Sequence, residues 1–122
     1  MLKDNHIDQA GSITEAVRRV RAAFSPCPPL EVECRTLADV REAVPLAPER
    51  IMLDNMPPDT AARALALVPA HIESEISGNV TLKTIRALAE LRPTFISTGA
   101  ITHSAPVADF SMRLTSTHRG HA

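Results

Sequence analysis

Short apolar or alternating runs recur along this chain, separated by longer amphipathic stretches, with prolines at the joins. Residues 1–3, 30–34, 50–53, 71–76 and 94–97 have the length and β-branched character of buried parallel strands. Between them the period changes to that of a helix. Ser12 followed by Glu15 has the form of a capping box, after which Ile13, Val17, Val20 and Phe24 share one face and Arg18, Arg19 and Arg21 project from the other. Thr36 caps a second helix that runs to about Val44. A third, rich in Ala and Leu, begins at Pro58 or Asp59. A fourth opens at Val80 or Thr81 and aligns Leu82, Ile85, Leu88 and Leu91. Residues 109–114 read as a last strand and 115–122 as a polar tail.

All ten prolines fall at or near these boundaries. Strand–helix alternation builds a parallel sheet with right-handed crossovers, so the fold class is α/β. The first 114 residues then form one domain. A closed (β/α)8 barrel takes about 250 residues. With 122, the chain makes either an open doubly wound sheet or the C-terminal half of a TIM-like α/β barrel. A half-barrel exposes strand edges and an apolar inner face, which predicts a homo-oligomer or aggregation. Met1 lies within the first strand with no lead-in and reads as an internal methionine of a longer protein.

Composition narrows the classes of function. A formal charge of -1 and an aromatic content of three Phe, with no Trp or Tyr, argue against nucleic-acid and anionic-membrane partners. No apolar run approaches the ~18 residues of a membrane span, and nothing resembles a signal peptide. Cys27 and Cys34 show no disulfide or zinc spacing, as expected of a cytoplasmic protein.

The chemistry gathers at strand ends. Lys3, Glu33 and Asp54 finish successive strands, on the rim where α/β folds bind ligands. Ser77-Gly78-Asn79 and Thr98-Gly99-Ala100 follow the next two. Glycine admits close backbone approach, and the N–H groups that follow favour an anion, so two such bends suit phosphate better than one ordinary turn does. Glu33 and Asp54 are hard oxygen donors for ribose hydroxyls or Mg²⁺, or else partners of nearby arginines. Lys3 attracts a substrate carboxylate or a leaving pyrophosphate, or else neutralises Asp54. His103 is an anion donor or a plain loop histidine, and His6 orients the first loop. His71, His118 and His121 show no ligand spacing.

Five segments, Met1-Leu2-Lys3-Asp4-Asn5-His6-Ile7, Leu30-Glu31-Val32-Glu33, Ile51-Met52-Leu53-Asp54-Asn55-Met56, Ser77-Gly78-Asn79-Val80-Thr81-Leu82 and Ile96-Ser97-Thr98-Gly99-Ala100-Ile101-Thr102-His103-Ser104, together resemble quinolinate phosphoribosyltransferase. The resemblance extends to Asp109-Phe110-Ser111-Met112 and implies the barrel form of the fold. It implies transfer of phosphoribosyl from phosphoribosyl pyrophosphate to quinolinate with loss of CO₂, giving nicotinate mononucleotide for de novo NAD synthesis. It also implies Mg²⁺ as cofactor, held by Glu33 and Asp54 directly or through water, and a dimer. Lys3, Glu33 and Asp54 match the family's catalytic residues. Ser77, Gly78, Asn79, Thr98, Gly99, Ala100 and His103 match the phosphate grip.

The chain departs from the family in lacking its N-terminal domain and early barrel strands, with their substrate-binding arginines, lysine and histidine. Lys3 alone is little cation for such anionic substrates, and the 122 residues by themselves are expected not to turn over. Ile76 stands where the family usually has a small residue, and is expected to narrow the adjoining loop. The rival expectations are a non-catalytic phosphate-binding half-barrel that acts through a partner chain, and a paralogue using another heteroaromatic acid.

Overall fold

The computed structural model describes residues 1–115. The element order is α1 (Asp4–Ala10), α2 (Ile13–Ala23), β1 (Glu31–Cys34), α3 (Leu37–Ala43), a 3₁₀ turn (Val44–Leu46), β2 (Arg50–Asp54), α4 (Pro58–Leu65), β3 (Glu73–Ser77), α5 (Ile85–Glu90) and β4 (Phe95–Ile96). The four strands lie in chain order, β1-β2-β3-β4, all parallel. A doubly wound sheet reverses its strand order at a switch point. This one never reverses, as in a barrel wall. Before β1 the first strand shrinks to a single parallel bridge, Leu2 to Val32, because Asp4 already begins α1, a helix the sequence pattern did not indicate.

Local signals account for the helices. Ser12 Oγ accepts the N–H of Glu15 and starts α2. The box is only half formed, because the Glu15 carboxylate is drawn to Arg18 and Arg19 at 2.7 and 2.8 Å. At α3 the reciprocal box is complete, with Thr36 bonded to the Asp39 N–H and Asp39 to that of Thr36. The fourth helix begins at Ile85 rather than at 80 or 81. Thr84 Oγ1 accepts the Thr81 N–H at 2.9 Å and shapes the preceding residues into a turn. Leu82 is consequently 95% exposed, and only Leu88 of the expected apolar face is buried.

Alternation along the strands separates two faces. Val32, Cys34, Ile51, Leu53 and Ile76 point outward and join Ile13 and Val17 of α2, Val40 and Ala43 of α3, Ala61 and Ala64 of α4 and Leu88 of α5 in one core cluster. Ile76 is 2% exposed and pairs in register with Leu53 and Ile96. Its side chain therefore faces the helices and does not narrow the loop after β3.

The inner face is not apolar, contrary to expectation. It carries Glu31, Glu33, Arg50, Met52, Asp54, Glu73, Glu75 and Ser77, by the same alternation. Arg50 pairs with Glu73 at 2.7 Å and Glu75 at 3.2 Å and lies 4.1 Å from the Phe95 ring.

Residues 109–114 form no strand. After residue 104 the chain is not joined to the sheet among the described residues, and Val107, Phe110, Met112 and Leu114 are all at least 85% exposed. The expected tail, apart from Thr115, lies outside the described residues.

Candidate functional site

Strand parity and register decide where the rim residues stand. Glu33 is level with Met52, while Asp54 is level with Ser77, one layer nearer the C-terminal edge. Leu2 sits opposite Val32 on the helix side, and Lys3 continues in extended conformation (φ -101°, ψ 171°), which turns it to the inner side with Glu33. Lys3, Glu33, Asp54 and Ser77 thus share one face of the sheet.

None of Lys3, Glu33 and Asp54 makes an ion pair among the described residues. The arginines are committed elsewhere: Arg35 to Asp4 and Asp8, Arg50 to Glu73 and Glu75, and Arg18 and Arg19 to Glu15. The structural role considered for the two acids, as partners of nearby arginines, therefore falls away. So does neutralisation of Asp54 by Lys3. His6 Nδ1 accepts the backbone N–H of Lys3 at 3.0 Å and fixes the entry to α1.

The two glycine bends meet. A cavity of about 230 Å³ lies between them, lined by Ser77, Gly78, Asn79, Val80, Thr81, Gly99, Ala100, His103 and Ser104. Gly78 has φ +91°, a conformation glycine adopts freely, and a Cβ there would strike the Asn55 side chain. At Gly99 a Cβ would strike the His103 ring, so that glycine lets the imidazole close over the bend. His103 Nδ1 bonds to Ser104 Oγ at 2.9 Å. The N–H groups of Gly78, Asn79 and Gly99 donate to no acceptor among the described residues. Thr98 does not line the cavity. Its hydroxyl donates to the Val80 carbonyl at 2.7 Å and ties one bend to the other. Asp54 on β2, Glu33 on β1 and Lys3 at the start of α1 stand outside the cavity walls.

Beneath the bends the inner face is layered with carboxylates. Glu75 is 5% exposed, and accepts from Ser97 Oγ at 2.6 Å and from Arg50. Burial, followed by the nearby charge of Glu75, pushes the Glu31 carboxyl above its ordinary value, with Arg50 opposing. Glu31 Oε1 is buried without a hydrogen-bond partner among the described residues. Among the described residues no three of His, Cys, Asp and Glu converge as a metal cage. No helix there is long and apolar enough to cross a membrane.

Asn55 is the residue whose part the sequence reading left blank. Its amide joins Asp54 to Asn79, at 3.0 and 2.8 Å. Asn55 and Asn79 both adopt left-handed backbone, φ +53° and +52°. An asparagine directly after a strand and before two prolines was the available hint, since Asn tolerates that conformation better than most residues. Its partner, 24 positions away, was not visible.

The comparisons with known proteins agree with this arrangement. Residues 1–113 match the family described as quinolinate phosphoribosyl transferase, C-terminal domain. A Bacillus subtilis (strain 168) protein, named as a probable nicotinate-nucleotide pyrophosphorylase (carboxylating), is 42% identical, covering 94% of this chain and 40% of that protein. A chloroplastic protein of Oryza sativa subsp. japonica with the corresponding name is 39% identical, over 93% of this chain and 36% of its own. The solved structure of NadC from Streptococcus pyogenes superposes with a TM-score of 0.80 at 39% identity, over 93% of this chain and 40% of that one. This chain thus spans 36–40% of the length of these relatives. With a parallel sheet in barrel order, two facing glycine bends at its C-terminal edge and a family match that runs almost end to end, the chain belongs to the quinolinate phosphoribosyltransferase family, in the C-terminal domain.

Proposed function

We propose that this chain carries the ribose- and phosphate-binding part of an enzyme that transfers phosphoribosyl from phosphoribosyl pyrophosphate to quinolinate. In that reaction the ring nitrogen bonds to ribose C1 as the C1–O bond to pyrophosphate breaks, and pyrophosphate leaves with the electron pair. The C2–carboxylate bond then breaks, CO₂ departs, and the pair left on C2 takes a proton to give nicotinate mononucleotide. The observation that carries the reading is the 230 Å³ cavity between the Gly78 and Gly99 bends, on a sheet that presents two carboxylates without ion-pair partners among the described residues.

In this reading the N–H groups of Gly78, Asn79 and Gly99 hold the 5′-phosphate beside Ser77 and Ala100, whose own N–H donates to Thr98 Oγ1 at 3.2 Å, with His103 donating from above and Thr98 fixing the gap. Glu33 and Asp54 accept from the ribose hydroxyls and stabilise the positive charge that grows on C1. Lys3 attracts the substrate carboxylate or pyrophosphate. The donor set fits Mg²⁺, which keeps several waters and binds through one or two carboxylates together with substrate phosphates. When bound through Glu33 and Asp54, the ion would neutralise charge on the pyrophosphate. A cytoplasmic homo-oligomer is the expected setting, supported by two unpaired cysteines and by the open edges of a four-stranded parallel sheet.

The test combines binding and turnover by the purified chain. Ribose 5-phosphate should shift the amide resonances of Gly78 and Gly99, whereas nicotinate mononucleotide should not form from quinolinate, phosphoribosyl pyrophosphate and Mg²⁺. Absence of shifts at both glycines sinks the reading, and Mg²⁺-dependent turnover overturns the expectation that these residues are incomplete for catalysis. One observation favours a second reading, a phosphate-binding half-barrel that serves a partner chain without transfer itself. On the inner face Lys3 is the single basic side chain without an acidic partner among the described strand residues, against several anionic groups on the substrates. That reading requires phosphate binding to persist with no transfer when the partner is supplied. Replacing quinolinate by other heteroaromatic acids in the same assay identifies a paralogue.

A further inference from the structure

We propose that Asn55 is a positioning residue that couples the phosphate bend after β3 to the ribose-facing carboxylate of Asp54. The proposal rests on the reading of that bend as the phosphate site. The Asn55 amide is used at both ends: Nδ2 donates to Asp54 Oδ2 at 3.0 Å, and Oδ1 accepts from Asn79 Nδ2 at 2.8 Å. The chemistry fixes the direction of the amide. Reversed, it would set oxygen against a carboxylate and NH₂ against NH₂. The Asn55 backbone N–H also donates to the Ser77 carbonyl at 2.9 Å, so the same residue grips both sides of the bend. Gly78 lies directly under the amide, close enough that any Cβ would displace it.

A turn alone does not call for this side chain. Glycine takes φ near +53° with less strain than asparagine does, so a residue needed only for its backbone would be better served by glycine. What asparagine adds is the bridge. It leaves Asp54 Oδ1 without a protein hydrogen bond among the described residues and directed by a partner on its other oxygen. It also fixes Asn79, whose N–H lies in the anion bend. A shift of the bend on phosphate binding would therefore turn the Asp54 carboxylate, and the reverse.

The experiment is a double-mutant cycle with Asn55→Gly and Asn79→Gly in the 122-residue chain. Both positions are left-handed, so glycine removes the amides without backbone strain. Inorganic phosphate is the probe. Asn79→Gly should weaken phosphate binding by about two- to threefold and Asn55→Gly by about fivefold, the worth of one and of two solvent-facing hydrogen bonds, and each should loosen the Gly78 amide in ¹⁵N relaxation. The double change should do no more than Asn55→Gly alone, because the bond that Asn79→Gly deletes is already lost with the Asn55 amide. Wild-type mobility at Gly78 in Asn55→Gly, or additive effects, overturns the proposal. If the wild-type chain binds no phosphate, the phosphate reading fails. The relaxation cycle then still decides whether Asn55 positions the bend.

Discussion

Adding one methyl group to each glycine bend separates the two roles that glycine plays here. In Gly78→Ala the residue must sit at φ +91°, outside the comfortable range of an L-residue, at a cost of about 1–2 kcal/mol. Its Cβ also evicts the Asn55 amide, which loses its bonds to Asp54 and Asn79. These are solvent-facing bonds, at the lower end of the usual 0.5–1.5 kcal/mol each. The total is a destabilisation of about 2–3 kcal/mol. With a urea slope of about 1.5 kcal/mol/M, that lowers the midpoint by about 2 M. Gly99→Ala meets only the His103 ring, the far end of an exposed side chain, and Gly99 is not left-handed. The ring can rotate away, so stability should stay within about 0.5 kcal/mol, while phosphate binding falls because the imidazole has left its place. Far-UV circular dichroism is the readout of unfolding, since the chain has no Trp or Tyr for fluorescence. Phosphate titration supplies the other axis. Equal destabilisation by the two changes, or a Gly78→Ala protein as stable as wild type, would refute the reasoning.

Arg50→Met should destabilise by about 2–4 kcal/mol, because it leaves Glu75, 7% exposed at its side chain, without its cation; urea melts measure this, and a neutral result would show that the inner face tolerates the bare charge. Glu31→Gln should stabilise the fold at neutral pH. The Glu31 carboxyl is raised above 4.5 by burial, so its favourable protonated form is present at low pH and lost as pH rises through the raised value. The gain from the substitution should shrink as pH falls through that raised value and be gone below about 4.5, and a gain constant with pH would contradict it. Glu15 behaves in the opposite sense. Arg18 and Arg19 hold its carboxyl down at about 2, so the stability it contributes is present above the ordinary value of 4.5 and fades as pH falls toward 2, which acid melts of Glu15→Gln against wild type will detect. Cys34, fully buried and with its thiol pushed up to about 12 mainly by burial, should resist iodoacetamide at pH 8 until the chain unfolds; rapid native-state alkylation by mass spectrometry would contradict this.

Sequence by itself determined what depends on near neighbours. Strand and helix alternation, the caps at Ser12 and Thr36, the proline boundaries and the two glycine bends all follow from interactions within a few residues. Strand-end position was enough to place Glu33 and Asp54 on one face near the C-terminal edge, because successive parallel strands run the same way, while Lys3 reaches that face from the cap of α1. Tertiary structure decided whatever needed a distant partner. Register set Asp54 a layer above Glu33 and turned Ile76 to the helices, since a shift of one residue exchanges the faces of a strand. Residues 109–114 have the alternation of a strand, but a strand exists only where another offers its backbone, and none does so among the described residues. The Glu75 layer with Arg50, Phe95 and Ser97, and the Asn55–Asn79 bridge, join residues 20 or more positions apart. No local pattern marks such pairs, because only the packing of one βα unit on the next brings their polar atoms within bonding distance.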